Sequence, residues 1–424
     1  MNALVADLNR RISRRSQINL SLAFVLIFAA VTRFVNLGRP HELVFDEVYY
    51  VDGARDFLQS GVEIDGGSPE FIVHPPIGKW AIALGIRAFG DNSFGWRFTA
   101  ALVGVLSIAL VYLIAQRLFQ SNFLSIAAAL LMSLDGLHLV MSRTALLDIF
   151  LSFFLLLSFY LLITNRFWLM SISMGLALAT KWSAIYVLAA LGIYLLISRR
   201  EFVKTTLQCG VIPLLVYVGS WSGWFLSDKG WSRDYSTNPL LSWIHYHREM
   251  LNFHTGLTTE HSYEASAWNW LILGRPTSFF YATPKSCGAS SCSQEVLAVG
   301  TPILWWIGLI ALFVTLGYFI HRRERNAGLI LLFWLASYLP WLGFPERTMF
   351  FFYAIAFQPF MILGIIYIAH KALEKDESRV ERQRYLLGLI ALIALCFAYF
   401  FPLFVGGVMT YADWYARMWF SSWI

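Results

Sequence analysis

The sequence predicts an all-α polytopic membrane protein, and three observations carry that reading. Of its 424 residues, 58% are hydrophobic and 17% aromatic, while only 14% are charged. Mean hydropathy is +0.59. Apolar stretches of about 20 residues, the length that crosses a bilayer, recur along the whole chain. Soluble domains carry about 45–50% apolar and about 25% charged residues, so a soluble enzyme is excluded, as are disordered, coiled-coil and collagen-like chains. The net charge of +6 sits on no water-soluble face, which leaves nucleic acid out as a partner.

Eleven such stretches lie near 18–37, 97–116, 123–141, 146–163, 167–180, 183–198, 205–226, 298–320, 327–344, 349–369 and 385–405. A twelfth, Ile77 to Phe89, carries Lys79 and Arg87 and is too short to span, so it suits an interfacial helix. With the N-terminus inside, the inner segments collect Arg10, Arg11, Arg14, Arg15, Arg117, Arg166, Arg199, Arg200, Lys204, Arg322, Arg323, Arg325, Lys371, Lys375, Arg379, Arg382 and Arg384. That bias sets a cytoplasmic N-terminus. No small-residue cleavage site follows the first apolar run, so it reads as an uncleaved span.

The chain then forms a single membrane-embedded domain over 1–424, with outer loops at about 38–96 and 227–297 and an outer tail at about 406–424. The aromatic tail suits a helix lying at the interface. Loops this long without a domain of their own are usually functional. No repeat, P-loop or GxGxxG after a strand is present, so ATP-driven transport and nucleotide-bound redox chemistry find no support.

The first outer loop opens with HELVFDEVYY. Adjacent carboxylates beside low-dielectric surface disfavour double ionisation, so one pKa of Asp46 and Glu47 should rise toward that of a general base. The plainer reading is a capping Asp before the helix EVYYVDGARDFL. IVHPPIGKW follows and places His74 and Lys79 at the water–lipid boundary, where Lys79 either snorkels to headgroups or meets a lipid phosphate. LDGLHLVMSRTALLDIF sets Asp135, His138, Arg143 and Asp148 at span ends, as functional groups or as an Arg–Asp pair closing a hairpin.

Arg33, Arg97, Arg143, Lys181 and Arg347 join Lys79 at outer span ends, against the positive-inside trend. Cations there call for an anion, and phosphate is the obvious one, although a nearby acid such as Glu346 would also serve. In the second loop His245, His247, His254 and His261 are spaced too irregularly for a metal site. Trp243, Tyr246, Trp268, Trp270 and Tyr281 suit interfacial anchors or platforms for sugar or peptide. Cys287 and Cys292 share a polar loop and would form a local disulfide in an oxidising compartment. Cys209 and Cys396 read as small buried hydrophobes.

FDEVYY, HPPIGKW, SRTALLDIFLSFF, GLALATKWSAIY, WNWLILGRPTSFFY and PERTMFFFY, in that order over nearly the whole chain, resemble the protein O-mannosyltransferase family. The resemblance implies a GT-C type glycosyltransferase that moves mannose from polyprenyl-phosphate-mannose to Ser or Thr hydroxyls on the outer membrane face, with inversion. It implies no metal and no cofactor beyond the lipid-linked donor. Translocating secretory or membrane polypeptides would be acceptors, with the Sec translocon as a partner. Asp46 matches the family's base and Glu47 its acceptor-positioning neighbour. Lys79, Arg97, Arg143, Lys181 and Arg347 match its donor-phosphate cations, with His74 and Asp148 in support. The second loop is too short for the β-trefoil MIR domain of eukaryotic members, so the chain resembles the bacterial, actinobacterial type.

The chemistry is self-consistent. Inversion needs one displacement, and a phosphate departs as a stable anion, so cations can replace the acid that an inverting glycosidase requires. Two rival readings stand beside it. One is a transferase that moves a lipid-phosphate sugar onto a glycolipid or glycan. The other is a transporter, which would show repeats, broken helices and mid-membrane charge.

Overall fold

The computed structural model describes residues 20–374 and 378–424. Arg10, Arg11, Arg14, Arg15 and Lys375, five of the cations behind the expected orientation, lie outside the described residues.

Helices dominate. The first apolar stretch is α1 (Leu20–Phe34). Two amphipathic helices, α2 (Glu47–Gln59) and α3 (Ile77–Phe89), follow in the first long loop. The tiny ribbon of β1 (Ile64–Asp65) and β2 (Ser68–Pro69) lies between them. Then come α4 (Ser93–Phe119), α5 (Asn122–Ser133), α6 (Gly136–Met141), α7 (Asp148–Ile163), α8 (Phe167–Leu178) and α9 (Ala184–Arg199). After them α10 (Phe202–Ser220) carries a π-helical turn at Leu207–Val211.

The second long loop holds α11 (Ser222–Leu226), α12 (Pro239–Gly256), α13 (Ala267–Trp270) and the antiparallel hairpin of β3 (Thr277–Ala282) and β4 (Cys292–Ala298). The chain returns through α14 (Pro302–Arg322), α15 (Arg325–Gly343), α16 (Gln358–Leu373) and α17 (Arg379–Phe404). Among the described residues, five helices are long and apolar enough to cross a membrane and six more are shorter apolar helices. Each of the eleven coincides with one of the eleven stretches. The second stretch starts earlier than hydropathy suggests, because Asn92 caps α4 by accepting from Phe94 and Gly95 N–H.

Packing follows from residue choice. On α1, Leu20, Phe24, Ile27 and Val31 are exposed in one stripe that continues to Val35 just past its end, while Val25 and Ala29 face the bundle. That stripe has lipid for a partner. α3 reaches α4 because a Cβ on Gly85 would stand 2.3 Å from the Gly95 carbonyl oxygen, so neither position tolerates a side chain. The C-terminal segment corrects an expectation. It is not one interfacial helix: β5 (Val408–Thr410) joins β4 to make the sheet β3-β4-β5. α18 (Tyr411–Tyr415) then drops Trp414 onto the buried Glu295 at 2.5 Å. Cys287 and Cys292 form a disulfide that closes the β3–β4 connection.

One ion pair ties the first loop to the bundle. Glu47 and Arg97 are both fully buried. Arg97 donates from Nε and Nη2 to the two carboxylate oxygens at 2.8 and 2.7 Å. Glu47 also accepts from Val44 N at 2.9 Å and Ala145 N at 2.8 Å. The remaining Arg97 donors reach the carbonyls of Leu37, Pro40 and Glu42. The carboxylate therefore satisfies the Ala145 N–H within the buried non-helical stretch 142–147, where no water is at hand to bond it.

Removing one member of a buried pair strands the other charge, at a cost of about 3–5 kcal/mol. Arg97→Ala should therefore melt far below wild type in detergent. Arg97→Lys should recover only part of the loss, because an ammonium has three donors and no fork. Unchanged melting of Arg97→Ala would remove this pair from its structural role.

Candidate active site

Asp46 occupies the N-cap position of α2, yet its side chain makes no cap hydrogen bond. The carboxylate is thus uncommitted to the helix, and it accepts a long hydrogen bond from Tyr50 Oη, one turn on, at 3.4 Å. Phe45 just before it has φ of +48°, an uncommon conformation for a bulky residue. Packing over-determines it: the ring stacks on Phe279 at 5.0 Å and meets Phe350 and Phe352 edge-on at 5.4 and 5.6 Å. Burial pushes the Asp46 carboxyl up to about 6, with Lys181 opposing and Asp148 reinforcing the shift. The adjacent Glu47, expected from sequence as the like-charge neighbour, is not the cause. It faces Arg97 instead.

Beside this loop lies a cavity of about 210 Å³ whose walls are mainly apolar: Trp182, Ile185, Tyr186, Leu251, Trp341 and Phe344. Its polar end holds Lys181, Arg347, His74 and His254. Lys181 Nζ donates to both oxygens of Asp148 at 2.8 and 3.0 Å and stands 4.2 Å above the Tyr353 ring. Arg347 donates from Nε to the His254 carbonyl at 3.1 Å and from Nη1 to the Thr348 carbonyl at 3.1 Å. It also stacks over Trp341 at 5.6 Å.

His74 packs against His254 at 5.2 Å and Tyr50 at 6.0 Å. Its buried Nδ1 has no hydrogen-bond partner. Burial, then the charges of Lys181, His254, Lys79 and Arg347, hold His74 well below the usual imidazole range. His254 bonds the Val73 carbonyl at 2.6 Å, and burial lowers it to about 4. Both rings are therefore neutral near pH 7. An apolar trough ending in two cations suits a lipid-linked phosphate.

Several residues expected at this site are elsewhere. Glu47 does not face an acceptor, because both its oxygens are taken by Arg97 and two backbone amides. Arg97 has no donor left for a phosphate. Arg143 is also a structural cation: Nη1 and Nη2 bind the carbonyls of Thr32, Arg33, Val35 and Asn36 at the end of α1. The Arg143–Asp148 pair is replaced by Lys181–Asp148. Lys79 is buried and held by Glu63 at 2.5 Å rather than lying at the lipid boundary. Burial pushes Glu63 up to about 7. Arg33 bonds His138 Nδ1 at 2.9 Å, and Asp135 caps α6 while accepting from Trp305 Nε1 at 2.6 Å.

The remaining loop residues scatter. His245 stacks on Tyr235, His247 bonds Tyr217 Oη, and His261 packs on Phe45. Tyr246 and Trp270 are buried, Trp243 joins the Tyr217–Trp221 cluster, and Trp268 and Tyr281 are exposed. Sequence reasoning missed Tyr50, Tyr353 and Glu63. Tyr50 was signalled by its i+4 spacing from Asp46. Tyr353 sits in an aromatic run that marks no single ring.

Known proteins resemble this chain in sequence and in fold. A family model described as dolichyl-phosphate-mannose-protein mannosyltransferase matches residues 73–224, and one for the C-terminal four-transmembrane region of protein O-mannosyltransferase matches 239–423. The polyprenol-phosphate-mannose–protein mannosyltransferase of Mycolicibacterium smegmatis is 33% identical, over 95% of this chain and 92% of that protein. The Mycobacterium tuberculosis protein of the same name is 32% identical, over 94% and 90%.

Among solved structures, the Saccharomyces cerevisiae protein O-mannosyltransferase Pmt1-Pmt2 complex bound to the sugar donor aligns with a TM-score of 0.80 at 14% identity, covering 96% of this chain and 93% of that one. ArnT from Cupriavidus metallidurans bound to undecaprenyl phosphate aligns at 0.58 and 16% identity, covering 92% and 76%. The fold is that of the GT-C glycosyltransferases, and the chain belongs to the protein O-mannosyltransferase family.

Proposed function

We propose that this enzyme transfers mannose from polyprenyl-phosphate-mannose to Ser or Thr hydroxyls of exported polypeptides, with inversion and with Asp46 as general base. One observation carries the reading. An uncommitted, half-buried carboxylate with its pKa raised to about 6 lies within the field of Lys181, which with Arg347 forms the cationic end of an apolar cavity. The relatives' printed names supply the donor and the protein acceptor.

In this scheme the polyprenyl chain lies along Trp182, Ile185, Leu251 and Phe344, with its phosphate at Lys181 and Arg347. The acceptor oxygen attacks the anomeric carbon from the face opposite the phosphate. The carbon–oxygen bond to phosphate breaks, and the hydroxyl proton passes to the Asp46 carboxylate. Polyprenyl phosphate leaves as an anion held by the two cations, so no acid is needed on that side. Asp148 holds Lys181 in place through both carboxylate oxygens, and the neutral His74 offers its ring nitrogen to the phosphate or the sugar. The scheme uses no cofactor besides the lipid-linked donor. The cationic bias of the inner segments supports a cytoplasmic N-terminus and a site on the outer face, within one domain spanning 1–424.

Three outcomes test the scheme with mannosyl-phosphoryl-polyprenol and a Ser/Thr peptide. Asp46→Asn should lose about 10²–10⁴-fold in kcat while still binding donor; wild-type turnover would remove Asp46 as base. Only the carboxylate form accepts a proton, so kcat/KM should fall about tenfold per pH unit below about pH 6 and level off above it. A flat profile down to pH 5 would contradict a base of that pKa. Arg347→Ala should weaken donor binding about 10–100-fold, the range of a charge-assisted hydrogen bond. Mannose appearing on a lipid acceptor and never on peptide would move the reading to a glycolipid transferase.

A further inference from the structure

We propose that the open edge of β3 is the docking site of the acceptor, which pairs with it through its backbone as an added extended strand. This rests on the transfer reading above and goes on to say how the enzyme holds a polypeptide.

β3 is the outer strand of the sheet β3-β4-β5, and its far edge makes no backbone–backbone hydrogen bond among the described residues. Alternate N–H and C=O groups there are left for a partner. Proteins usually blunt such edges with charge or proline. The segment TSFFYA has neither within it, although Pro276 and Pro284 flank it.

The strand leads to the candidate base. Its register against β4 shifts between Ser278 and Phe280, a bulge of the kind found beside active sites, where it re-aims a side chain. Phe279 stacks on Phe45, the residue before Asp46, at 5.0 Å. Thr277, Ser278 and Phe279 are buried, whereas Tyr281 is 43% exposed. The approachable edge therefore begins where the strand leaves the aromatic cluster and runs outward to the disulfide-closed turn. A peptide paired along Phe280–Ala282 and continuing past Phe279 is directed toward the Phe45–Asp46 turn.

The chemistry of the acceptor agrees. A Ser or Thr hydroxyl sits one carbon from the backbone, so the base reaches it only if the main chain comes close. Strand addition supplies that approach without reading side chains. The occupant is then an extended polypeptide, whatever its sequence around the hydroxyl.

The test varies the substrate and leaves the enzyme intact. A single-serine acceptor peptide is prepared as a series, each member N-methylated at one amide, and mannosyl transfer is measured for each. The expected result is a KM raised at least tenfold at every second position on one side of the serine, with little change between and kcat retained. Equal loss at every position, or loss at none, would overturn strand pairing while leaving mannosylation intact. No product from the unmethylated parent would instead count against the transfer reading itself.

Discussion

The buried pair of Glu47 and Arg97 is the constraint on which the site depends. A loop inserted at the edge of a bilayer must satisfy its own backbone, since neither lipid nor a closed helix does so. Glu47 meets this need from a central position, binding a guanidinium, the Val44 amide and the Ala145 amide at once. α2, α4 and the buried turn before α7 are thereby fixed to a single point. Asp46 is the next residue along the backbone, so its position is set without its own carboxylate taking part. Two adjacent acids thus divide into one that is fully bonded and one that is nearly free.

The same sorting runs through the cations. Three buried positive charges near this end of the bundle are answered locally: Arg97 by Glu47, Lys79 by Glu63, and Arg143 by four carbonyls at and just past the end of α1. Desolvation makes any other arrangement costly. Lys181 and Arg347 differ in that they also line a cavity, and aromatic faces of Tyr353 and Trp341 hold them there. Lys181, kept by one carboxylate and one ring, and Arg347, kept by two carbonyls and a ring, would retain attraction for an anion that enters the cavity.

Much of the architecture was legible because hydropathy reports directly on the solvent that a helix faces. The eleven apolar stretches and both amphipathic helices of the first loop reappear at their expected places. The raised pKa expected of the Asp46–Glu47 pair falls on Asp46, but burial and Asp148 raise it rather than the adjacent Glu47. The cations were misread in a consistent direction. A charge out of place signals that it needs a counter-charge, but sequence does not say whether that partner is a ligand or a residue 50 positions away, as Glu47 is from Arg97. The tail was misread for a related reason. Its Trp and Tyr content fits an interface, but Val408 to Thr410 pairs with a strand more than a hundred residues upstream, and no local pattern encodes that pairing.

The shortness of the helices around Lys181 has a consequence for the membrane itself. α8 holds 12 residues and α9 holds 16, which at about 1.5 Å per residue makes rods of about 18 and 24 Å. The hydrocarbon layer is about 30 Å thick. The turn joining them, which carries Lys181, therefore sits below the headgroup plane unless the bilayer pinches to meet it. A phosphate docked at that turn would be drawn down out of its lipid layer, with the bonded sugar enclosed by protein. Water would then reach the anomeric carbon through the rim of the two long loops rather than across an open membrane surface.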